Sequence, residues 1–372
     1  MLDSKLDERK QLKLMRFAET LLDPASARII IQPQKRENGY WFGGGNLVTA
    51  SDGAWYLTGR YRNYGDSRTG LEAGLRGVEL AVFVSHDQGR TFKKVLSFSK
   101  SDLSYSDRQV LSIEGSALHF TSDGVELFVS TEKGNVPYPE NLKAYHKSGT
   151  GIWSIDKLLA KNVRDLATAQ ISPFLSSEDP RFLHVKDPVV YDKVNGESLL
   201  SFCTHPYNWA SSNSGYVTRS PGSEVFSAPN YEFFRRGYTW DVAISRITAW
   251  LRVPRRGAFS QGRSQVLAFY DGGESMRNLD EHLQAVRRPR GYSCEELGGL
   301  AWAYEDDLST ITRLSVNLPA FISPWGSGSS RYVDVMETRD GLYATWEQSQ
   351  PDLSQPLVMN FLGWDAIDRL LA

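Results

Sequence analysis

From residue 27 onward the chain consists of short alternating strands that recur in one order, a first hairpin followed by a second. Runs rich in Val, Tyr, Phe and Trp are separated by Gly, Asn, Asp and Ser turns, in units of about 60–80 residues. The first unit pairs Asn46–Arg62, turning at Ser51-Asp52-Gly53, with Val78–Phe98. The second pairs Ser116–Thr131 with Gly151–Leu159, and the third pairs Pro188–Phe202 with Gly215–Phe226. The fourth runs Ala243–Val253 and Gln265–Tyr270, then Gly299–Leu314. The fifth runs Tyr332–Glu347, then Leu357–Leu371. Repeated four-stranded units leave sheet edges exposed unless they are arranged radially around an axis. The expected fold is therefore all-β, a five-bladed β-propeller spanning 27–372 as one domain. A sixth blade follows if Ala27–Ile31 and the 254–297 stretch hide one, and a two-sheet sandwich is the alternative. Residues 1–26 form a separate helical segment, in which Asp3 to Leu22 carries Leu6, Leu12, Met15 and Leu22 on one face. A second, brief helical pattern covers Trp364–Leu371.

Composition narrows the function classes. The 372 residues include 42 basic and 44 acidic side chains, a net charge of −2, which implies no nucleic-acid-binding field. Cys203 and Cys294 have no metal-ligand spacing, so no metal and no cofactor are expected, and Cys203 reads as a buried small hydrophobe. The N-terminus has no secretory apolar segment and no run is long enough to cross a membrane, which predicts a cytoplasmic protein without a membrane partner. The oligomeric state has no signature. Zinc-hydrolase, P-loop and G-x-S-x-G patterns are absent.

In a propeller the loops entering the innermost strands line one mouth of a central funnel, so chemistry is sought there. The first entry is Tyr40-Trp41-Phe42-Gly43-Gly44-Gly45-Asn46, whose glycines would let a ligand approach the backbone. The second places Glu114 before an apolar strand, and the third is Lys186-Asp187-Pro188. The fourth is Trp240-Asp241 leading to Arg246, and the fifth is Arg331-Tyr332. Glu295 and Glu296 precede the outer hairpin of the fourth unit, and alternation lets at most one of them face the funnel. Arg60 and Arg62 end the first inner hairpin, with Asp66 and Arg68 following. With Arg246 and Arg331 they would clamp an anionic group. His205 ends another inner hairpin beside aromatic residues.

Two resemblances bear on these residues. The octapeptide Ser85-His86-Asp87-Gln88-Gly89-Arg90-Thr91-Phe92 resembles the Asp box of sialidases and related propellers, a rim turn and not a catalytic motif. Asp187-Pro188 resembles the Asp-Pro segment of five-bladed arabinanase- and invertase-type glycosidases, and Cys294-Glu295 is similar to the acid/base segment of the invertase type. These resemblances imply a glycoside hydrolase acting on an oligosaccharide, which needs a proton-donating carboxylic acid and a second carboxylate. Asp187 would be the transition-state stabiliser, Glu296 or Glu295 the acid, Glu114 the base or nucleophile, and Asp241 a further member. Asn46, Arg60, Arg62, His205, Trp240, Arg246, Arg331 and Tyr332 would bind the substrate. The chain departs from the furanosidase pattern where the first inner strand should supply an aspartate and reads Gly45-Asn46. A sialidase-like enzyme with an arginine cluster, a glycoside phosphorylase and a non-catalytic sugar-binding propeller are the alternatives.

Overall fold

The computed structural model describes residues 6–65, 70–274 and 296–372. Its strands form five antiparallel sheets, each built from strands adjacent in sequence apart from one. Blade A contains β2 (Trp41–Gly43), β3 (Leu47–Thr49), β4 (Trp55–Arg62), β5 (Glu79–Ser85) and β6 (Lys93–Ser99), with β2 and β3 together forming its inner edge against β4. Blade B contains β7 (Val110–Thr121), β8 (Gly124–Lys133), β9 (Ile152–Ala160) and β10 (Ile171–Leu175). Blade C contains β11 (His184–Asp192), β12 (Ser198–His205), β13 (Asn213–Arg219) and β14 (Asn230–Phe234). Blade D contains β15 (Ile244–Arg252), β16 (Gln265–Gly273), β17 (Leu297–Tyr304) and β18 (Asp307–Arg313). Blade E contains β19 (Ser330–Glu337), β20 (Gly341–Gln348) and β21 (Leu357–Gly363), and its outer strand is β1 (Arg28–Ile31).

The architecture is a five-bladed propeller. Ala27–Ile31 starts no sixth blade, because Arg28–Ile31 pairs with β21 and completes the fifth, joining the two ends of the chain. Gln265–Gly273, within the 254–297 stretch, is the second strand of blade D. In the third unit the outer strand begins at Asn230, beyond the expected Gly215–Phe226. Pro221, Gly222 and Pro229 lengthen that turn, and Phe226 packs on Phe174 and the Arg219 guanidinium instead of extending a strand. The octapeptide is the β5–β6 turn. Asp87 accepts from the Thr91 amide (2.9 Å) and hydroxyl (2.6 Å), and the Ser85 hydroxyl accepts from the Gly89 amide (2.8 Å).

Helix α1 (Glu8–Leu21) is capped by Asp7, whose carboxylate accepts from the Lys10 amide. Its buried face is Leu14, Phe17, Ala18 and Leu21, while Leu12 is exposed. The helical period was legible, but the face is turned because Phe17 and Ala18, not Leu12, meet the blade. That face packs with Ile367 and Leu371 of α2 (Trp364–Leu371) and with Trp346 of blade E in one apolar cluster. The Asn360 side chain donates to the Leu21 carbonyl (3.0 Å), closing the C-terminal end of α1.

Polar bolts join the blades away from the axis. His119 of β7 lies between Glu126 (3.1 Å) and Asp192 (3.0 Å) of the next blade, and Arg219 of blade C makes two 2.8 Å hydrogen bonds to Glu126. Burial opposes protonation of His119, yet the hydrogen bonds to Asp192 and Glu126 raise its pKa to about 9. A raised histidine contributes stability that is complete below its unfolded value near 6.5 and lost as pH rises through about 9. Urea unfolding should therefore show a loss on the order of 3 kcal/mol across that window, which H119Q abolishes. A wild-type stability that is flat from pH 6.5 to 9 would contradict this role.

Candidate active site

Each inner strand departs from regular pairing at the same level, near the end where it enters the blade. The register slips between Ile113 and Ser116, Lys186 and Val189, Ile247 and Ala249, and Arg331 and Asp334. In blade A the Gly44–Asn46 break between β2 and β3 takes the same place. A bulge re-aims side chains that regular alternation would direct elsewhere. At or just before each irregularity stand Gly43, Ile113, Lys186, Arg246 and Arg331, with Ile247 between Arg246 and its slip, and opposite them on the second strand are Arg60, Thr131, Cys203, Asp271 and Glu347. Two bulge residues, Asp187 (φ 58°) and Tyr332 (φ 52°), take the left-handed conformation that non-glycine residues rarely adopt, as does Gly44 (φ 66°).

This level carries a cluster of charges. Arg246 is clasped by three carboxylates: its Nη2 donates to Asp271 (2.6 Å) and to Glu296, and its Nη1 donates to Asp187 (3.2 Å). Arg331 bridges Glu347 (2.8 Å) and Glu296 (3.0 Å). Arg60 bridges Glu114 (2.9 Å) and Glu347, and Arg62 also binds Glu114. Tyr332 lies among these cations, with the Arg246 and Arg60 guanidiniums 4.0 and 4.8 Å from its ring centre. Its amide donates to Asp271 (3.1 Å) and its hydroxyl to Asp187 (3.4 Å). Asp187 further accepts from the Gly115 amide (3.0 Å) and the Cys203 thiol (3.3 Å).

Asp187 and Tyr332 join Gly44, Gly45, Ser116 and Thr248 in lining a small cavity of about 20 Å³, room for about one water. Exposure is graded across the cluster. The Glu296 side chain is 22% exposed, Arg331 15%, Arg62 14% and Lys186 11%, whereas Asp271 and Glu347 are fully buried.

The environment separates the two carboxylates that share Arg246. Burial and the neighbouring Glu296 charge push Asp271 up to about 7, against the pull of Arg246. Burial also acts on Glu296, but the positive charges of Arg246, Arg331 and Lys186 outweigh it and hold Glu296 below the ordinary glutamate range. Asp187 is likewise buried and held low, by Lys186, Arg246 and Arg60 and by the Gly115 amide. His205 is kept neutral by burial. Its Nδ1 faces the Ser211 carbonyl (3.1 Å) and its Nε2 the Cys203 sulfur (3.7 Å). Burial raises the Cys203 thiol well above its ordinary value, so this cysteine is a hydrogen-bond donor and not a thiolate.

The structure thus brings together Glu114, Asp187, Glu296, Arg60, Arg62, Arg246, Arg331, Tyr332 and, at the edge, His205. Three candidates lie elsewhere. Asp241 pairs with Arg313 of the outer strand (2.6 Å) and accepts from Tyr270 (3.2 Å). Trp240 stacks on Tyr270 and donates to the Ser315 carbonyl (2.9 Å). Asn46 joins blades A and B through the Leu118 amide (2.8 Å) and carbonyl (2.9 Å). Glu295, Cys294, Asp66 and Arg68 lie outside the described residues. The glycines of the first entry make room for side chains more than for a ligand: a Cβ on Gly43 would lie 2.4 Å from Glu347, and one on Gly44 3.0 Å from Arg60. Asp271 and Glu347 were missed because only strand entries were searched. Each is a charged residue near the end of a second strand that is buried along nearly its whole length, and that anomaly was present in Leu267–Asp271 and Leu342–Glu347.

No family model matches the chain, and no curated protein matches it in sequence. In structure it is similar to an α-L-arabinofuranosidase from Lactobacillus brevis, with TM-score 0.56 and 11% identity over 93% of this chain and 94% of the other. A structure described as a glycoside hydrolase aligns with TM-score 0.63 and 11% identity over 96% of both chains. A β-1,2-mannobiose phosphorylase from Listeria innocua, in complex with β-1,2-mannobiose, aligns with TM-score 0.54 and 11% identity over 92% and 96%. What is shared is the five-bladed propeller fold.

Removing Arg246 would leave three carboxylates without their common counter-charge, which in a buried site costs about 3–5 kcal/mol. R246M should lose stability of that order at pH 7. The deficit should shrink as pH falls from 7 to 4, because without the guanidinium the buried carboxylates of R246M take up protons that Asp187 and Glu296 do not bind in the wild type. Urea titrations at pH 7 and pH 4 measure both, and an equal deficit at the two values would count against the clasp.

Proposed function

We propose that the chain is a glycoside hydrolase whose reaction takes place over the Asp271–Glu296–Arg246 cluster. The single observation that carries this reading is the convergence of five carboxylates and five cations beside the irregularities of the inner strands, with Glu296, Arg331, Arg62 and Lys186 partly exposed. Such a cluster can give a proton and stabilise charge in one place. Structures of the same fold described as an arabinofuranosidase and a glycoside hydrolase support the sugar as substrate class.

The roles follow from environment. Asp271 and Glu296 share one guanidinium nitrogen, so near neutral pH the couple holds one proton that belongs to the pair. Asp271 is buried and holds the proton in the empty site, and the half-buried Glu296 takes it over and delivers it to the departing glycosidic oxygen. Asp187, buried and ionised, faces the positive charge that develops on the sugar ring. Glu114, paired with Arg60 and Arg62, is the carboxylate that accepts a proton from water or attacks the anomeric carbon.

Aryl glycosides and oligosaccharides, screened with and without phosphate, test the activity. On any substrate that turns over, D187N and E296Q should each lower kcat/KM at least about 100-fold with an unchanged thermal midpoint. Normal rates in both variants would remove these assignments. Turnover in the wild type should also decline as pH rises through about 7, where the couple loses its proton. A non-catalytic sugar-binding propeller is the second reading, favoured by the fact that each funnel carboxylate already has a cationic partner. It predicts ligand binding that persists in E296Q with no turnover in any form.

A further inference from the structure

Lys186 and Arg331 are the last paired residues before the slips of blades C and E, and Arg246 lies one residue before that point in blade D, so three successive blades each place a cation beside the irregularity of their inner strand. The two arginines are saturated with carboxylates, whereas Lys186 is not. Its ammonium has one ion pair, at 3.7 Å to Asp187, and lies 5.3 Å from the Trp153 ring centre, with no hydrogen bond among the described residues. An ammonium offers three donors, and with no protein acceptor for them among the described residues they are open to a ligand. Glu296 feels both this charge and that of Arg331, with which it pairs at 3.0 Å. Arg331 and Arg62 both lie against one ring, their guanidiniums 5.7 and 5.8 Å from the Trp41 centre. The buried Trp41 indole N–H finds no acceptor among the described residues. With one proton on the Asp271–Glu296 couple, the cluster carries an excess of one positive charge.

We infer that the funnel binds an oxyanion, a carboxylate or a phosphate group, against Lys186 Nζ and between the Arg331 and Arg62 guanidiniums. That the ligand is also a sugar rests on the proposed function; that it is an oxyanion does not. A sugar acid would bring the charge on the substrate itself, and inorganic phosphate would bring it on a second reactant.

Isothermal titration at pH 7 with glucuronate, galacturonate, inorganic phosphate and glucose separates these sources. The wild type should bind at least one oxyanion and bind glucose more weakly. K186M should weaken the oxyanion at least about tenfold, as expected when a charge-assisted partner is lost, while K186R stays within about threefold of wild type. Uronate binding assigns the charge to the sugar, and binding of phosphate alone assigns it to a co-reactant. No heat with either oxyanion, or equal affinities in wild type and K186M, overturns the inference. The unliganded thermal midpoint establishes that K186M is folded, and K186Q provides the same comparison if it is not. Oxyanion binding without turnover of any glycoside would count against the proposed function and leave this site standing.

Discussion

Arg246 is the group on which the rest of the funnel depends. Its guanidinium is held by Asp187 from blade C and by Asp271 and Glu296 from blade D, and it stacks over Tyr332 from blade E. None of these three carboxylates could stay ionised at such burial without a counter-charge, since an isolated buried charge shifts its pKa and neutralises instead. Such a clasp is a poor source of net stability, because desolvation cancels most of the attraction. What it fixes is geometry: three blades are bound to one planar, five-donor group whose directions cannot vary.

The backbone pays a local strain to reach that geometry. Asp187 and Tyr332 both sit at φ above 50°, in a region that costs a non-glycine residue roughly 1–2 kcal/mol. Regular alternation would send Asp187 away from Arg246, and the bulge turns it toward the axis. Ring closure keeps this arrangement from relaxing. Strand β1 completes blade E beside β21, α1 packs on α2 across the chain ends, and the His119–Glu126–Arg219 bolt ties blades B and C on the outside. Slippage of one blade would therefore have to break polar contacts with its neighbours as well as apolar packing.

The fold was legible in the chain because its information is local. Each hairpin carries its own turn residues and alternation, so the inner strands of blades B, C and E were placed from Glu114, Asp187 and Tyr332 onward. What was not legible is long-range. Nothing near Arg28–Ile31 says that its partner is Leu357–Met359, some 330 residues away. The site divided in the same way. Residues at strand entries announced themselves through Asp-Pro or Arg-Tyr pairs. Asp271 and Glu347 look like strand ends until the register sets them opposite Arg246 and Arg331. Asp241 illustrates the converse error. It stands at a strand entry, yet Arg313 and Tyr270 draw it into the body of the blade, a choice made by tertiary partners that no local pattern reports.

The two carboxylates on Arg246 also show why depth matters to the chemistry. If both were exposed, water would screen their repulsion and both would be ionised at neutral pH. If both were sealed, a shared proton could not reach a ligand. With Asp271 fully buried and Glu296 22% exposed, repulsion is strong enough to retain one proton while one member of the pair stays in contact with the funnel. Burial and the surrounding cations together favour the proton on Asp271 and the negative charge on Glu296. Arg331, which binds Glu296 and leaves Asp271 untouched, biases the negative charge toward the exposed member and the proton toward the buried one. A ligand oxyanion that engaged Arg331 would weaken that bias and move the proton toward Glu296 at the moment the site is occupied.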